Sequence, residues 1–222
     1  MQRVPEPEEL MDDAQQALAY ARADFSEANR LFVDLIERLE PTGLQGRLLD
    51  LGCGPADIPL ALARRHPALT IDALDGARSM LDLARQKLTA DPDAARRIRL
   101  LCEYLPCSDL PSDGYDLAAS NSLLHHLVDP AVMWQTVTRC ARPGARVLVM
   151  DLARPESATA VDALVETYAM DAPEVLRRDF RNSLFAAYTV QEVERQLHSA
   201  GLAALRVSMV SDRHLAVSGV LR

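Results

Sequence analysis

The sequence predicts an α/β protein built on a single doubly wound sheet of seven strands, most of them parallel. Apolar strand-like segments alternate with amphipathic helices through most of the chain, which is the pattern of a parallel sheet. The first strand leads into a turn with two glycines, Gly52 and Gly54, and an Ala/Leu-rich helix follows at once. Near the end, only Ser211, Asp212 and Arg213 separate two strand-like segments, so we expect a terminal antiparallel hairpin.

The elements follow one another in a regular order. After an N-terminal helical region at about 7–40, we predict strands at 48–51, 68–75, 98–102, 115–120, 145–151, 205–210 and 214–220. Helices are expected at 58–65, 78–89, 130–140 and 190–200, and the turn pair Pro143-Gly144 precedes the fifth strand. The stretch 154–188, after the fifth strand, is typical of a mostly helical insertion.

Two segments stand apart from this alternation. We interpret residues 1–45 as an N-terminal helical lid and residues 46–222 as the main domain, which contains the insertion at 154–188. The lid and the insertion hold seven of the ten aromatic residues: Tyr20, Phe25, Phe32, Tyr168, Phe180, Phe185 and Tyr188. Such side chains either enclose a small-molecule pocket or pack the extra helices onto the sheet, and both interpretations stay open.

The composition argues against several classes of partner. The chain has 222 residues and a net charge of −8, and its first 40 residues carry ten acids against four arginines. Clustered Lys and Arg, which bind nucleic acids, are missing, so a nucleic-acid partner is not expected. No apolar run approaches the roughly 18 residues that span a bilayer, and the acidic start does not resemble a secretion signal. We expect a cytoplasmic protein, and the use of arginine over lysine favours a GC-rich bacterial genome.

The glycine turn narrows the ligand class. A dinucleotide site requires Gly-x-Gly-x-x-Gly, but Asp57 occupies the third glycine position here. An acid two residues before the first glycine suits a cofactor with a cationic amino acid end, and Asp50 supplies that acid. The segment Asp50-Leu51-Gly52-Cys53-Gly54-Pro55-Ala56 resembles the first motif of the class I S-adenosylmethionine-dependent methyltransferases, with Ala56 in place of the family's last glycine.

This resemblance implies a Rossmann-like domain, S-adenosylmethionine as cofactor and methyl transfer to a small-molecule acceptor. It implies that Asp50, Gly52, Cys53, Gly54 and Pro55 contact the cofactor. Two alternatives stay open: an NAD(P)-dependent oxidoreductase, and a protein that binds S-adenosylmethionine without transferring its methyl group.

The end of the second strand offers the next cofactor residues. Asp75-Gly76 follows the glycine turn by roughly 20 residues, where an acid can accept hydrogen bonds from ribose hydroxyls or cap the next helix. By the resemblance, Met80 lies over the adenine; a plain core methionine is the alternative.

The adenine contact departs from the family pattern. Where the family usually has an acid and a small residue after the third strand, this chain has Pro106-Cys107. Proline has neither an N–H nor a side-chain acceptor, so the backbone of Cys107, or Ser108 or Asp109, would have to contact the adenine.

The fourth strand leads into a polar segment that resembles the family's active-site floor. Asn121 and Ser122 are expected to face the methionine part of the cofactor, because ligands bind at the carboxyl ends of parallel strands. His125 or His126 could remove a proton from the acceptor, but adjacent residues point in different directions, so only one should face the cleft.

No metal ion is expected from the sequence. Adjacent histidines lack the i, i+4 spacing of helical zinc sites, and no third ligand is near them in sequence. The four cysteines are also scattered, without the spacing of a metal site or a disulfide framework: Cys53, Cys102, Cys107 and Cys140.

Candidates for acceptor binding come from the lid, the insertion and the end of the fifth strand. An arginine there could hold a carboxylate or phosphate with two hydrogen bonds. The acidic N-terminal helices could serve an interface in a homodimer. Besides Asp151, the candidate acceptor residues are Tyr20, Arg154, Tyr168, Arg181 and Asn182.

Overall fold

One seven-stranded sheet organises the computed structural model, which describes residues 1–6, 12, 17, 18, 20, 21 and 23–222. The strand order is β3-β2-β1-β4-β5-β7-β6. The strands are β1 (Gly46–Leu51), β2 (Leu69–Asp75), β3 (Ile98–Cys102), β4 (Tyr115–Asn121), β5 (Ala141–Leu152), β6 (Arg206–Met209) and β7 (His214–Val220).

Helices connect most of these strands. They are α1 (Ser26–Leu39), α2 (Asp57–Arg65), α3 (Arg78–Thr89), α4 (Pro92–Ala95), α5 (Ala131–Cys140), α6 (Ala158–Ala169), α7 (Glu174–Ala186) and α8 (Val190–Ser199). A 3₁₀ turn (Leu124–His126) follows β4. Within the described residues, no helix combines the length and apolar character needed to cross a bilayer.

The pairing confirms the predicted sheet. Strands β1 to β5 pair in parallel, whereas β7 lies antiparallel between β5 and β6. From β1 the chain proceeds to β2 and β3 on one side of the sheet, and then returns to β4 and β5 on the other side. The connections after β1 and β4 therefore run in opposite directions. A crevice forms there at the carboxyl ends of the strands, which is where sheets of this class bind ligands.

Helices cover both faces of the sheet, as a doubly wound fold requires. One apolar cluster joins the sheet to α5 and α8 around Trp134, whose indole N–H donates to Gln196 Oε1 at 3.0 Å. The other joins it to α1, α2 and α3, with Phe32, Leu62 and Leu81 buried on the opposite face. The two layers hold the strand ends at the crevice in fixed positions.

The structure differs from the sequence prediction mainly at element ends. The fifth strand begins at Ala141 rather than 145, because Ala141 pairs with Tyr115 and the Gly144 N–H donates to Leu221 O at 2.9 Å. The register with β4 then shifts to the pair Leu117 and Arg146, so Gly144, at φ +84°, lies in a bulge within β5.

Smaller elements add to the predicted order. The helix α4 and the 3₁₀ turn were not predicted, and the insertion consists of two helices, α6 and α7. Of the predicted helical region at 7–40, residues 26–39 form α1 and residues 17, 18, 20 and 21 are helical. Residues 7–11, 13–16, 19 and 22 lie outside the described part of the chain.

Candidate active site

The glycine turn joins the ends of β1 and β2. The N–H groups of Gly52 and Cys53 both donate to Leu74 O, at 2.8 and 2.9 Å. Gly52 has φ +76°, and a Cβ on it would lie 2.9 Å from Leu123 Cβ. Any other residue here would clash with Leu123 in the segment after β4. The glycine therefore allows the end of β1 and this segment to approach closely.

Gly54 has a different role in the same turn. Its φ is +52°, but a Cβ built on it would have no described atom within 4 Å. The missing side chain therefore leaves open space above the turn rather than relieving a clash. Pro55 beside it is buried, and Ala56 adopts φ +62° as the N-cap of α2.

Asp75 connects this turn to the start of α3. Its Oδ2 accepts from the Gly54 N–H and its Oδ1 from the Ala77 N–H, each at 2.8 Å. Asp75 does not cap α3, because Ala77 is the N-cap residue and carries no capping side-chain hydrogen bond. Each carboxylate oxygen of Asp75 keeps a lone pair for a further donor, so the predicted ribose contact stays a prediction. Gly76, which separates Asp75 from Ala77 in the sequence, is half-buried.

Asp50 lies just before the end of β1 and is only 3% exposed. Burial, with the negative charge of Asp75 nearby, raises its pKa to about 7. Burial likewise raises the pKa of Asp75 above its usual value. The ionisation of two such neighbouring carboxyl groups is unfavourable. A cationic ligand group would stabilise their ionised forms.

The end of β4 completes the crevice from the other side. Ser120 Oγ donates to Leu51 O at 2.8 Å and so ties β4 to β1. Asn121 Oδ1 is buried without a hydrogen-bond partner among the described residues. Ser122 follows at φ +57°, and its N–H donates to Met150 O at 2.9 Å. An orphaned acceptor beside the glycine turn is a place where a ligand N–H or O–H fits.

His125 and Asp151 form a buried pair behind this crevice. Nδ1 of His125 lies 2.5 Å from Asp151 Oδ1, and the two side chains are 4% and 2% exposed. Burial alone would lower the pKa of His125, but the Asp151 carboxylate outweighs it and raises that pKa. Burial opposes ionisation of Asp151 as well, yet His125 holds its pKa below the usual value.

His126 contacts a segment from the other end of the chain. Its Nδ1 lies 2.5 Å from Glu6 Oε2, and its ring centroid lies 4.0 Å from that of His125. Glu6 belongs to residues 1–6, which we call the N-terminal strap. Of the two histidine rings, His126 is the more exposed, with 21% of its side chain accessible against 4% for His125.

The N-terminal strap is anchored beside the site by specific hydrogen bonds. Arg3 donates to the carbonyls of Ala186, His125 and Leu127 at 2.5, 2.9 and 3.1 Å. Ser183 Oγ donates to Glu6 Oε1 at 2.6 Å. The strap thus covers the 3₁₀ turn after β4 and connects it to α7.

The predicted adenine side contains residues in different surroundings. Met80 is buried and packs with Ala77 and Tyr20 beside the start of α3. Pro106 is exposed, while Cys107 packs into the apolar core and its carbonyl accepts from the Arg139 guanidinium. Because Ala77 donates to Asp75, Met80 and Tyr20, which pack with Ala77, lie near Asp75.

The predicted acceptor residues do not converge on one place. The Arg154 guanidinium is bound by protein groups on three sides: Glu192 at 2.6 Å, Ala187 O at 2.9 Å and Met1 O at 3.1 Å. Tyr168 is 40% exposed and donates to Asp212, and Arg181 pairs with Asp162 on the insertion surface. Asn182 is half-buried on α7.

Two residues of this region were missed by the sequence reasoning. Arg3 and Glu6 precede every predicted element, and no periodicity or motif marks them. Arg3 is held by the carbonyls of Leu127 and Ala186, and Glu6 by the side chains of Ser183 and His126, all in distant parts of the chain. Only the folded arrangement brings them to the histidines.

Comparison with known proteins settles the family. A family model described as a methyltransferase domain matches residues 20–207, which is most of the chain. The chain belongs to this methyltransferase family. Membership confirms the prediction of a class I methyltransferase from the glycine-turn motif, and with it the predicted enzyme class and cofactor.

Individual relatives of the methyltransferase are distant. The ubiquinone/menaquinone biosynthesis C-methyltransferase UbiE of Geotalea daltonii is 29% identical over 113 residues, which cover 50% of this chain and 47% of the relative. The match thus spans about half the length of that curated protein.

Solved structures show the same fold. A SAM-dependent methyltransferase of Aquifex aeolicus has a TM-score of 0.68 at 20% identity, with 95% of this chain and 99% of that chain covered. Phosphoethanolamine N-methyltransferase 2 of Haemonchus contortus, solved with S-adenosyl-L-methionine, has a TM-score of 0.66 at 16% identity, with 89% and 44% covered. At these identities the likeness concerns the fold of the methyltransferase alone.

Proposed function

We propose that this protein transfers the methyl group of S-adenosylmethionine to a nucleophilic atom of a small-molecule acceptor. The observation that carries the proposal is the open space at Gly54, whose N–H donates to Asp75. The buried carboxyl group of Asp50 and the unpartnered Oδ1 of Asn121 lie near the ends of the neighbouring strands β1 and β4. The cofactor supplies an activated sulfonium methyl, so the protein has to position the reactants and exclude water.

Each part of the crevice suits one part of this cofactor. The backbone from Gly52 to Pro55 offers a surface without bulky side chains, and Asp75 has lone pairs for the ribose hydroxyls. The carboxyl group of Asp50 balances an ammonium group. Asn121 and Ser122 lie at the methionine end, and Met80 with Tyr20 lies on the adenine side.

A small acceptor is favoured by the cover that lies beside the proposed cofactor site. The N-terminal strap and α7 cover the region beside His126, and hydrogen bonds of Arg3 and Glu6 anchor this cover. We extend the proposal to residues 1–45 acting as a lid, in a cytoplasmic protein whose acidic N-terminal helices serve a homodimer interface. The net charge of −8 favours acceptors other than nucleic acid.

Calorimetric titration with S-adenosylhomocysteine tests the cofactor assignment. We expect one binding site per chain, and no stabilisation by NADH or NADPH. Binding of NADH alone would favour the oxidoreductase alternative. Incubation with labelled S-adenosylmethionine and fractionated bacterial metabolites then identifies the acceptor, and tight cofactor binding without transfer to any fraction would favour a binding protein.

Cofactor affinity should depend on pH through Asp50. Its pKa of about 7 means that the group is largely protonated below that pH. A cationic ligand favours the ionised carboxylate, so the Kd for S-adenosylmethionine should rise toward tenfold per unit as pH falls below about 7. Titrations at pH 6 and pH 8 measure this effect. Asp50→Asn should bind weakly with a flat profile, and an equal Kd for the unmodified protein at both pH values would contradict the assignment.

Asn121→Ala separates a ligand-binding role from a structural one. Because Asn121 Oδ1 makes no hydrogen bond within the described protein, its removal should leave the free energy of unfolding within about 0.5 kcal/mol. The affinity for S-adenosylhomocysteine should fall about tenfold, since one charged or polar hydrogen bond is lost. Asn29→Ala on α1 is the matched control and should change neither quantity. Unchanged affinity in Asn121→Ala would remove this residue from the site.

A further inference from the structure

Three potential metal ligands meet where the N-terminal strap crosses the 3₁₀ turn after β4. Glu6, His125 and His126 each offer one ligand atom, and these atoms all lie within 4.8 Å of one another. It is the one group of three or more His, Cys, Asp or Glu in the described ranges that meets this criterion. No sequence motif marks this group, because Glu6 lies far from the two histidines along the chain.

The contact between His126 and Glu6 is close, but its geometry is not that of an aligned hydrogen bond. Nδ1 of His126 is buried and makes no hydrogen bond of acceptable geometry with any described residue, although Glu6 Oε2 lies only 2.5 Å away. The Glu6 side chain is itself only 9% exposed. A ring nitrogen and a carboxylate oxygen that face each other in a buried place can both bind one cation.

His125 carries the support that metal-binding histidines usually have. Its Nδ1 contacts the Asp151 carboxylate at 2.5 Å, which fixes the ring and leaves Nε2 for a ligand. Carboxylate–histidine pairs of this kind orient metal ligands and raise their basicity. Asp151 is fixed in turn, because its carboxylate accepts from the Leu152 N–H and the His125 N–H.

We propose that Glu6, His125 and His126 bind a divalent transition-metal ion of the zinc class. Two imidazoles and one carboxylate suit such an ion better than Mg²⁺ or Ca²⁺, which prefer oxygen ligands. The two carboxylates of Glu6 and Asp151 balance its two positive charges when both imidazoles are neutral. Metal–ligand bonds of about 2 Å require ligand atoms within about 4 Å of one another, so a shift of under about 1 Å completes the site.

Three protein ligands leave a coordination position open. A hydroxyl, thiol or amine of the acceptor bound at that position would have a lowered pKa. This part of the inference rests on the proposed methyl transfer, because it assigns the ion to the acceptor side of that reaction. The binding of the ion itself does not depend on it.

Metal titration of the chelator-stripped, full-length protein tests the site. Co²⁺ alone should give a visible ligand-field spectrum that saturates at one equivalent, and Zn²⁺ should displace it. Glu6→Gln and His126→Gln should each weaken Zn²⁺ binding at least tenfold. Both residues lie outside the core of the sheet, so thermal unfolding can verify that the variants are folded. X-ray absorption of the Zn²⁺-loaded protein should show two imidazole ligands.

The matched control is His66→Gln, which removes a histidine paired with Glu37 at 2.8 Å elsewhere in the fold. It should bind Zn²⁺ as tightly as the unmodified protein. The proposal is overturned if the protein binds no stoichiometric ion, or if Glu6→Gln and His126→Gln retain full affinity. Binding of S-adenosylhomocysteine, measured separately without metal, tests the proposed function, so the two failures can be told apart.

Discussion

Replacing Asp151 by asparagine is expected to lower the free energy of unfolding of the metal-free protein by about 3 kcal/mol. The carboxylate accepts from His125 Nδ1, from the His125 N–H and from the Leu152 N–H, all in a place that is about 1% exposed. Asparagine has one acceptor oxygen, and its amide N–H₂ would face another donor. At least one buried N–H therefore loses its partner. Urea denaturation at constant pH measures the change.

Glu37→Gln provides the comparison for Asp151→Asn. Glu37 also pairs with a histidine, His66, but its side chain is 25% exposed and solvent screens the pair. We expect a loss of less than about 1 kcal/mol in that variant. If the two variants are equally stable, the buried pair does not hold the ends of β4 and β5 together in the way that the hydrogen bonds indicate.

Gly54→Ala is expected to weaken the binding of S-adenosylhomocysteine at least tenfold while the protein stays folded. The added methyl group would meet no described atom within 4 Å, so it causes no clash in the free protein. It would instead project into the space that we assign to the cofactor. Calorimetric titration measures the affinity, and thermal unfolding reports the stability.

The matched control is Gly201→Ala. Gly201 has φ +73° and open space at its Cβ, but it lies in the turn after α8. Both variants should lose about 1–2 kcal/mol of stability, because alanine disfavours the left-handed conformation. Only Gly54→Ala should lose cofactor affinity. Equal affinities in the two variants would mean that the ligand does not approach the backbone at Gly54.

Much of the fold could be predicted from the sequence because local and global signals agree. The predicted bounds of α3, β3 and β7 match the structure to the residue, since apolar periodicity defines each of them. The start of β5 was misplaced because a proline and a glycine usually mark a turn. Here Pro143 and Gly144 instead lie in a bulge of β5, between the residues that pair with Tyr115 and with Leu117.

The residues that we propose for the cofactor could also be selected from the sequence. Gly52, Gly54, Asp75 and Asn121 are marked by motif and by their positions at strand ends. The opposite side of the site could not be predicted in this way, because Arg3 reaches it through backbone carbonyls that any sequence provides. Glu6 reaches it through the side chains of Ser183 and His126, which lie far away along the chain. Arg154 is a further residue whose partner could not be predicted from the sequence. Its charge suggested an anionic ligand, but the Glu192 carboxylate pairs with it at 2.6 Å.

Asp75 couples two parts of the fold that are separate in sequence. Its two oxygens hold the amide hydrogens of Gly54, in the glycine turn, and of Ala77, at the start of α3. Local opening that frees one of them must move the carboxylate that protects the other, so the two amides should exchange with solvent deuterium as one cooperative unit. A cofactor that engages Asp75 should slow both rates by a common factor.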